Sequence, residues 1–259
     1  MPRFFISSGD VRGEDGGRTV TLSGKDALHI SRALRMGPGE ELTLCDEAGT
    51  EYESVIVSAG AEVVVRIRSE KRTENEPPYG AAVYQALVRG DRFDTVVMKA
   101  TELGASRIVP VMTSRCTVKL APGDYRKKQE RWQRIAAEAA GQCGRGRIPE
   151  VAEPVRFADA LAEAAQADLP LFCYEGGEGT PTQPLTAYFK DRPQPLSVSV
   201  FVGPEGGFEP SEAEQAVRCG MKPAGLGKRI LRTETAAAFV LAALSCRYEL
   251  DSREDSADR

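Results

Sequence analysis

The feature that most constrains this chain is a change of pattern at residues 70–78 (EKRTENEPP), a charged run ending in two prolines that reads as a linker. Before it, short β-branched or alternating runs recur: RFFIS, RTVTLS, ELTLCD, YESVIVS and AEVVVRIRS. Turn signals at residues 16–17, 37–39 and 48–49 separate them, and one helical stretch, residues 24–36 (GKDALHISRALRM), interrupts them. Short strands with frequent turns predict a small β-barrel over residues 1–72. After the linker, apolar strand-like runs alternate with helical ones. The strands are AAVYQALV, RIVPVMT, LPLFCYE and SVSVFVG; the helices fall near 93–103, 125–142, 157–166, 210–219 and 233–250. That alternation predicts an α/β domain over residues 73–250, with a parallel sheet covered by helices on both faces. Residues 251–259 (DSREDSADR) are expected to form a frayed polar tail.

Composition narrows the class. With 259 residues, 41% hydrophobic and 28% charged, the chain has an ordinary globular make-up, and no apolar run is long enough to span a bilayer. The first residues (MPRFFISSGD) lack the apolar stretch of a signal peptide, so a cytoplasmic protein is expected. The six cysteines form no CxxC pair and His29 is the only histidine, so neither a zinc site nor a histidine-based triad is expected. The formal net charge of −4 hides an uneven distribution. Residues 107–147 carry ten Lys or Arg against three acids, whereas residues 148–226 carry five against twelve. Local charge is what attracts phosphate, although a solvated helix face is an equal reading of the basic window.

Two segments carry the chemical signal. In residues 196–208 (LSVSVFVGPEGGF) an apolar strand ends in a glycine-rich turn, and a helix follows with Pro210 at its first position and Gly220 at its end. Glycines at the C-terminal end of a strand let a ligand approach the backbone, but the spacing is not the dinucleotide GxGxxG. In residues 224–237 (AGLGKRILRTETAA), Lys228, Arg229 and Arg232 crowd a glycine turn. Thr233 is placed to cap the final helix, with Glu234 in its first turn. Three cations beside a helix N-terminus suit an anionic substrate.

At these residues the chain resembles the bacterial 16S (small-subunit) ribosomal RNA uracil N3-methyltransferases of the knotted SPOUT superfamily. The resemblance is carried by GPEGGF (203–208) and LGKRILRTETAA (226–237), with KATELGASRIVPV (99–111), RWQRIAAEAAGQCGR (131–145) and HISRALRM (29–36). These segments follow the family order over most of the chain. The resemblance implies a C-terminal SPOUT trefoil-knot methyltransferase domain and an N-terminal PUA-like β-barrel that binds RNA. It implies S-adenosyl-L-methionine as cofactor, gripped by three loops. The first supplies Cys173, Tyr174 and Glu175, and the second Val202, Gly203, Pro204, Gly206 and Gly207. The third supplies Leu226, Gly227, Ile230, Leu231, Thr235 and Ala236, with Leu226, Ile230 and Leu231 covering the adenine. RNA contacts are implied for His29, Arg32 and Arg35, extended by Arg89, Arg92, Arg115, Lys119, Lys228 and Arg229. The implied partner is 16S ribosomal RNA or the small ribosomal subunit, and the implied assembly is a homodimer through the knotted domain, with no membrane and no metal. One departure is visible: the family has Ser before the Pro that opens the helix, where this chain has Glu209, followed by Pro210, Ser211 and Glu212. A capping box is therefore not expected there, though a negative charge still suits the helix start.

The implied reaction removes a proton from uracil N3 and adds a methyl group. Arg232 is too basic to take the proton but can stabilise negative charge on the uracil oxygens. Glu205 and Glu234 are the candidate bases; equally, Glu205 can close its loop and Glu234 can serve the helix dipole. Two other readings compete: a non-catalytic RNA-binding ribosome-assembly factor with the same fold, and a metabolic enzyme for a phosphorylated small molecule. The intact pair of motifs argues against the first, and the basic window with a separate β-rich domain argues against the second.

Overall fold

The computed structural model describes residues 1–14, 17–118, 121–177, 180–190 and 194–250, so Lys119 and the polar tail lie outside the described residues. The chain divides into two units, one of Met1–Glu76 with Ala140–Ile148, the other of Pro77–Ala139 with the residues from Pro149 onward.

The first unit holds β1 (Arg3–Phe5), β2 (Arg12–Glu14), β3 (Gly17–Leu22), α1 (Gly24–Leu28), β4 (Glu41–Cys45), β5 (Thr50–Ala59) and β6 (Val63–Arg72). They form one six-stranded sheet in the order β1-β4-β5-β6-β3-β2, antiparallel except for the β1–β4 pair. Alternation in β5 and β6 turns Ile56, Val63 and Val65 inward against Leu42, Leu44 and Ile30. Register shifts at Glu53/Ser54 and Ile56/Ser58 add the local twist that bulges supply. The helix expected over residues 24–36 is shorter: α1 passes into a wider π-helical turn, His29–Ala33. The expected linker is also more ordered than its composition suggests. β6 runs into it as far as Arg72, and the Glu76 carboxylate pairs with buried Arg145 and accepts the Gly146 and Arg147 N–H groups.

The second unit holds β7 (Gly80–Ala86), α2 (Arg92–Glu102), β8 (Arg107–Met112), α3 (Tyr125–Cys143, whose residues from Ala140 onward belong to the first unit), β9 (Glu150–Val151), β10 (Val155–Arg156) and α4 (Phe157–Ala164). There follow β11 (Leu169–Cys173), β12 (Gln183–Pro184), β13 (Ser197–Val202), α5 (Pro210–Arg218), β14 (Lys222–Gly225) and α6 (Thr233–Ser245). The sheet order is β10-β8-β7-β13-β11-β14-β12, with β9 also on β8, and every pairing is parallel. Its central strands are buried on both faces, which is why they read as unbroken apolar runs. An aromatic group of Phe157, Phe172, Phe201 and Phe208 fills one face. After β14 the chain returns to the middle of the sheet, where α6 packs on α2, β13 and β7.

Two local expectations are corrected. The Glu209 N–H donates to the Glu212 carboxylate at 2.9 Å, so the reciprocal arm of a capping box forms without serine. Glutamate at the third helical position reaches back whichever residue precedes the proline. Thr233 does not cap α6. Arg232 holds the extended N-cap conformation, and Thr233 is the first helical residue.

Candidate active site

The site follows from register. In a parallel sheet the strands end on a common edge, and ligands bind beyond their carboxyl ends. Gln85 of β7 pairs with Val202 of β13, Val202 with Cys173 of β11, and Cys173 with Ala224 of β14. The loops that continue from β13, β11 and β14 are therefore neighbours, although far apart in sequence. They enclose a cleft of about 930 Å³, within the roughly 300–1,000 Å³ usual for small-ligand pockets.

The cleft gathers Cys173, Tyr174 and Glu175 with Val202, Gly203, Pro204, Glu205, Gly206 and Gly207. From the third loop it takes Leu226, Gly227, Lys228, Arg229, Ile230, Leu231, Arg232, Glu234 and Ala236. Thr235 does not line it; its side chain is exposed and its N–H bonds to the Arg232 carbonyl. Ile230 stands 80% exposed at the rim, while Leu226 and Leu231 are half-buried. Residues not assigned to the cofactor from the sequence also line it: Gly176 and Thr182, with Gly225 and Phe208 from its two motifs. Thr182 carries no motif and reaches the site because β12 pairs with β14 beside it. A Cβ on Gly225 would meet its hydroxyl at 3.2 Å.

The middle loop is fastened at both ends. Arg115 donates to Gly206 O at 2.8 Å and to both carboxylate oxygens of Glu209 at 2.8 and 3.1 Å. Hydrogen bonding from that guanidinium holds the Glu209 carboxyl below its ordinary value. Arg92 donates to Glu205 at 2.8 Å, and the Arg89 N–H reaches the same oxygen at 3.3 Å. Arg92 and Arg115 thus line the cleft as fasteners of this loop, while the Arg89 side chain stands exposed outside it. Lys228, Arg229 and Arg232 are exposed on the rim and form no ion pair among the described residues.

The two candidate carboxylates differ. Glu205 is exposed and already accepts from Arg92. Glu234 is half-buried, with Oε2 enclosed and making no hydrogen bond among the described residues. Cys173 sits at the end of β11, where burial pushes its thiol up to about 12, so it is a neutral wall and not a nucleophile. His29, Arg32 and Arg35 lie in the first unit, all exposed; the His29 ring meets Phe4 edge-on, and Arg35 holds a left-handed φ of 55°.

Residues 75–245 match the model of the RNA methyltransferase domain, and residues 22–67 match that of the RNA methyltransferase PUA domain. The chain is 32% identical to ribosomal RNA small subunit methyltransferase E of Bacillus subtilis (strain 168), over 96% of this chain and 98% of that one. It is 31% identical to the protein of the same name from Aquifex aeolicus (strain VF5), over 89% and 96% of the two chains. The crystal structure of the Neisseria gonorrhoeae ribosomal RNA small subunit methyltransferase E, bound to S-adenosyl methionine, superposes with a TM-score of 0.78. That structure is 32% identical and covers 95% of this chain and 97% of its own.

Proposed function

Since the chain belongs to the RNA methyltransferase family that includes the small-subunit ribosomal RNA methyltransferases E, we propose that it binds S-adenosyl-L-methionine in the cleft and methylates N3 of a uridine in 16S ribosomal RNA. One observation carries this reading. A glycine-lined, partly apolar cleft, suited to a nucleoside, opens onto a rim where Lys228, Arg229 and Arg232 have no acidic partner among the described residues. The fit to the cofactor rests on its volume, on backbone brought close by Gly203, Gly206, Gly207 and Gly227, and on Val202, Leu226, Leu231 and Ala236 as apolar walls.

Bound S-adenosylmethionine supplies an already activated methyl group. The chain's own task is to orient uracil and move its N3 proton. Arg232 keeps its charge and stabilises the anion developing on a uracil oxygen. Glu205 already accepts from two donors, so its carboxylate is committed to closing its loop. Glu234 lines the cleft and its carboxylate is not engaged by a cation among the described residues, so it is the better proton acceptor. Lys228 and Arg229 hold flanking phosphates, and His29, Arg32 and Arg35 extend the RNA surface in the first unit. The protein acts in the cytoplasm on 16S ribosomal RNA or the small subunit.

Calorimetry with S-adenosylhomocysteine tests the cofactor, and mass spectrometry of treated small-subunit RNA tests the product. Arg232→Ala is expected to lose about 10²-fold or more in turnover with an unchanged melting temperature. Glu234→Gln should fall by a similar factor, and Glu205→Gln by less than Glu234→Gln. Absence of cofactor-analogue binding would overturn the reading, and a methyl group on another atom would overturn the N3 assignment.

A further inference from the structure

Gln85 is the penultimate residue of β7, fully enclosed between β8 and β13 and flanked by Tyr84, Ala86 and Leu87 of the core. Its Nε2 donates to Thr233 Oγ1 at 2.8 Å and to Ala86 O at 3.1 Å, with Gly203 O a distant 3.5 Å away. Thr233 Oγ1 donates in turn to Gly203 O at 2.6 Å. A hydroxyl has one hydrogen, and the carbonyl of Gly203 has none to give. The Thr233 hydroxyl must therefore accept from Gln85, which fixes the carboxamide with its nitrogen toward Thr233. Gln85 Oε1 is then enclosed without a hydrogen bond among the described residues. Enclosing an unpaired acceptor is unfavourable, and an apolar side chain would fill the same place without that cost. What the carboxamide adds is at its other end, where it meets two loops of the cleft.

Gly203 opens the loop after β13, and Thr233 opens α6; both line the cleft. We infer that Gln85 is a positioning residue, a buried relay that sets the direction of the Thr233 hydroxyl, and so ties the Gly203 carbonyl to the start of α6. Without it the hydroxyl rotates among acceptors and the two loops lose their common anchor. The expected consequence for cofactor affinity rests on the function proposed above; the relay itself does not.

The test uses the full chain and the isosteric variants Gln85→Met and Thr233→Val, singly and together, with Thr233→Ser as the conservative rescue. Backbone hydrogen exchange is followed over residues 203–208 and 233–236 without ligand, and S-adenosylhomocysteine affinity is measured in parallel. Each single variant should speed exchange in both segments and weaken binding by about tenfold, the size expected for one buried hydrogen bond. The double variant should be no worse than either single one, because both break the same chain of bonds, and Thr233→Ser should behave as the unmodified protein. Unchanged exchange in Gln85→Met, or a double variant equal to the product of the singles, overturns the inference. If Gln85→Met does not fold, Gln85→Glu replaces it. Its effect must then grow as pH rises and the carboxyl loses the proton it would donate; a pH-independent profile overturns the inference. If the unmodified protein binds no S-adenosylhomocysteine, the proposed function fails, while the exchange data still decide the relay.

Discussion

Single residues at the cleft floor are held by packing from below. A Cβ on Gly203 would stand 3.0 Å from the Phe208 ring, and that ring is itself packed against Phe172, with centroids 4.3 Å apart. Gly203→Ala therefore has to displace either the aromatic core or the loop. We expect it to lower stability by about 1–3 kcal/mol in denaturant titration and to weaken S-adenosylhomocysteine binding in calorimetry. Burial acts on the thiols in the opposite direction to exposure. Cys173 is pushed up to about 12 and Cys45 to about 11, in both cases chiefly by burial. The exposed Cys143, Cys219 and Cys246 should take up a thiol reagent in the native state near pH 8, with buried Cys45 reacting only on unfolding, as peptide mass spectrometry would show. The sign for stability follows. Below the ordinary thiol value of 9.0 both states are protonated. Above it the unfolded chain ionises first, so these two thiols lower stability as pH rises toward about 11 and then about 12.

Elements explain what the basic window does. Of its ten cations, Arg107, Arg115, Arg126, Arg131 and Arg145 are paired with acids, most of them brought from other parts of the chain. Charge counted along the sequence therefore overstates what is free to meet phosphate. On α3, Lys127, Lys128 and Arg134 remain exposed and make no ion pair among the described residues. Replacing these three by alanine should weaken RNA binding and flatten its dependence on salt, lowering the log–log slope by roughly 2–3. Filter binding over a salt series would measure this, and an unaltered slope would place RNA elsewhere. The same pairing logic gives Arg92 and Arg115 a role in fastening the loop after β13, which their place in the sequence did not indicate.

At the scale of the whole molecule, α6 is apolar nearly all round, yet its own core takes only one side of it. Thr233, Ala236, Ala237, Val240, Leu241 and Leu244 are buried, while Phe239 is 43% exposed and Met98 of neighbouring α2 is 36% exposed. Apolar side chains left outward on two packed helices suit a two-fold contact with a second copy. Sedimentation of the unmodified protein should give a dimer, and Phe239→Asp should give a folded monomer; a monomer in both cases would remove α6 as the interface.

The sequence alone determined the pattern of elements, because periodicity, glycine and proline are local properties. The strand runs, a helix near residues 210–219 and the two glycine-bearing loops were all legible there. The motifs GPEGGF and LGKRILRTETAA were enough to place Gly203, Glu205, Arg232 and Glu234 near one another through family resemblance. Tertiary structure decided which groups are free to act. Glu205 is engaged by Arg92 while Glu234 keeps an enclosed oxygen without a hydrogen bond among the described residues, and Thr233 gives its hydroxyl to Gly203 instead of capping its helix. Thr182 joined the cleft, and Gln85 came to lie beneath its loops, through strand pairing, which has no local signature. The physical reason is one of range. Propensity is written within a turn or two of the chain, but a hydrogen bond between residues 85 and 233 exists only once parallel strands have set their register.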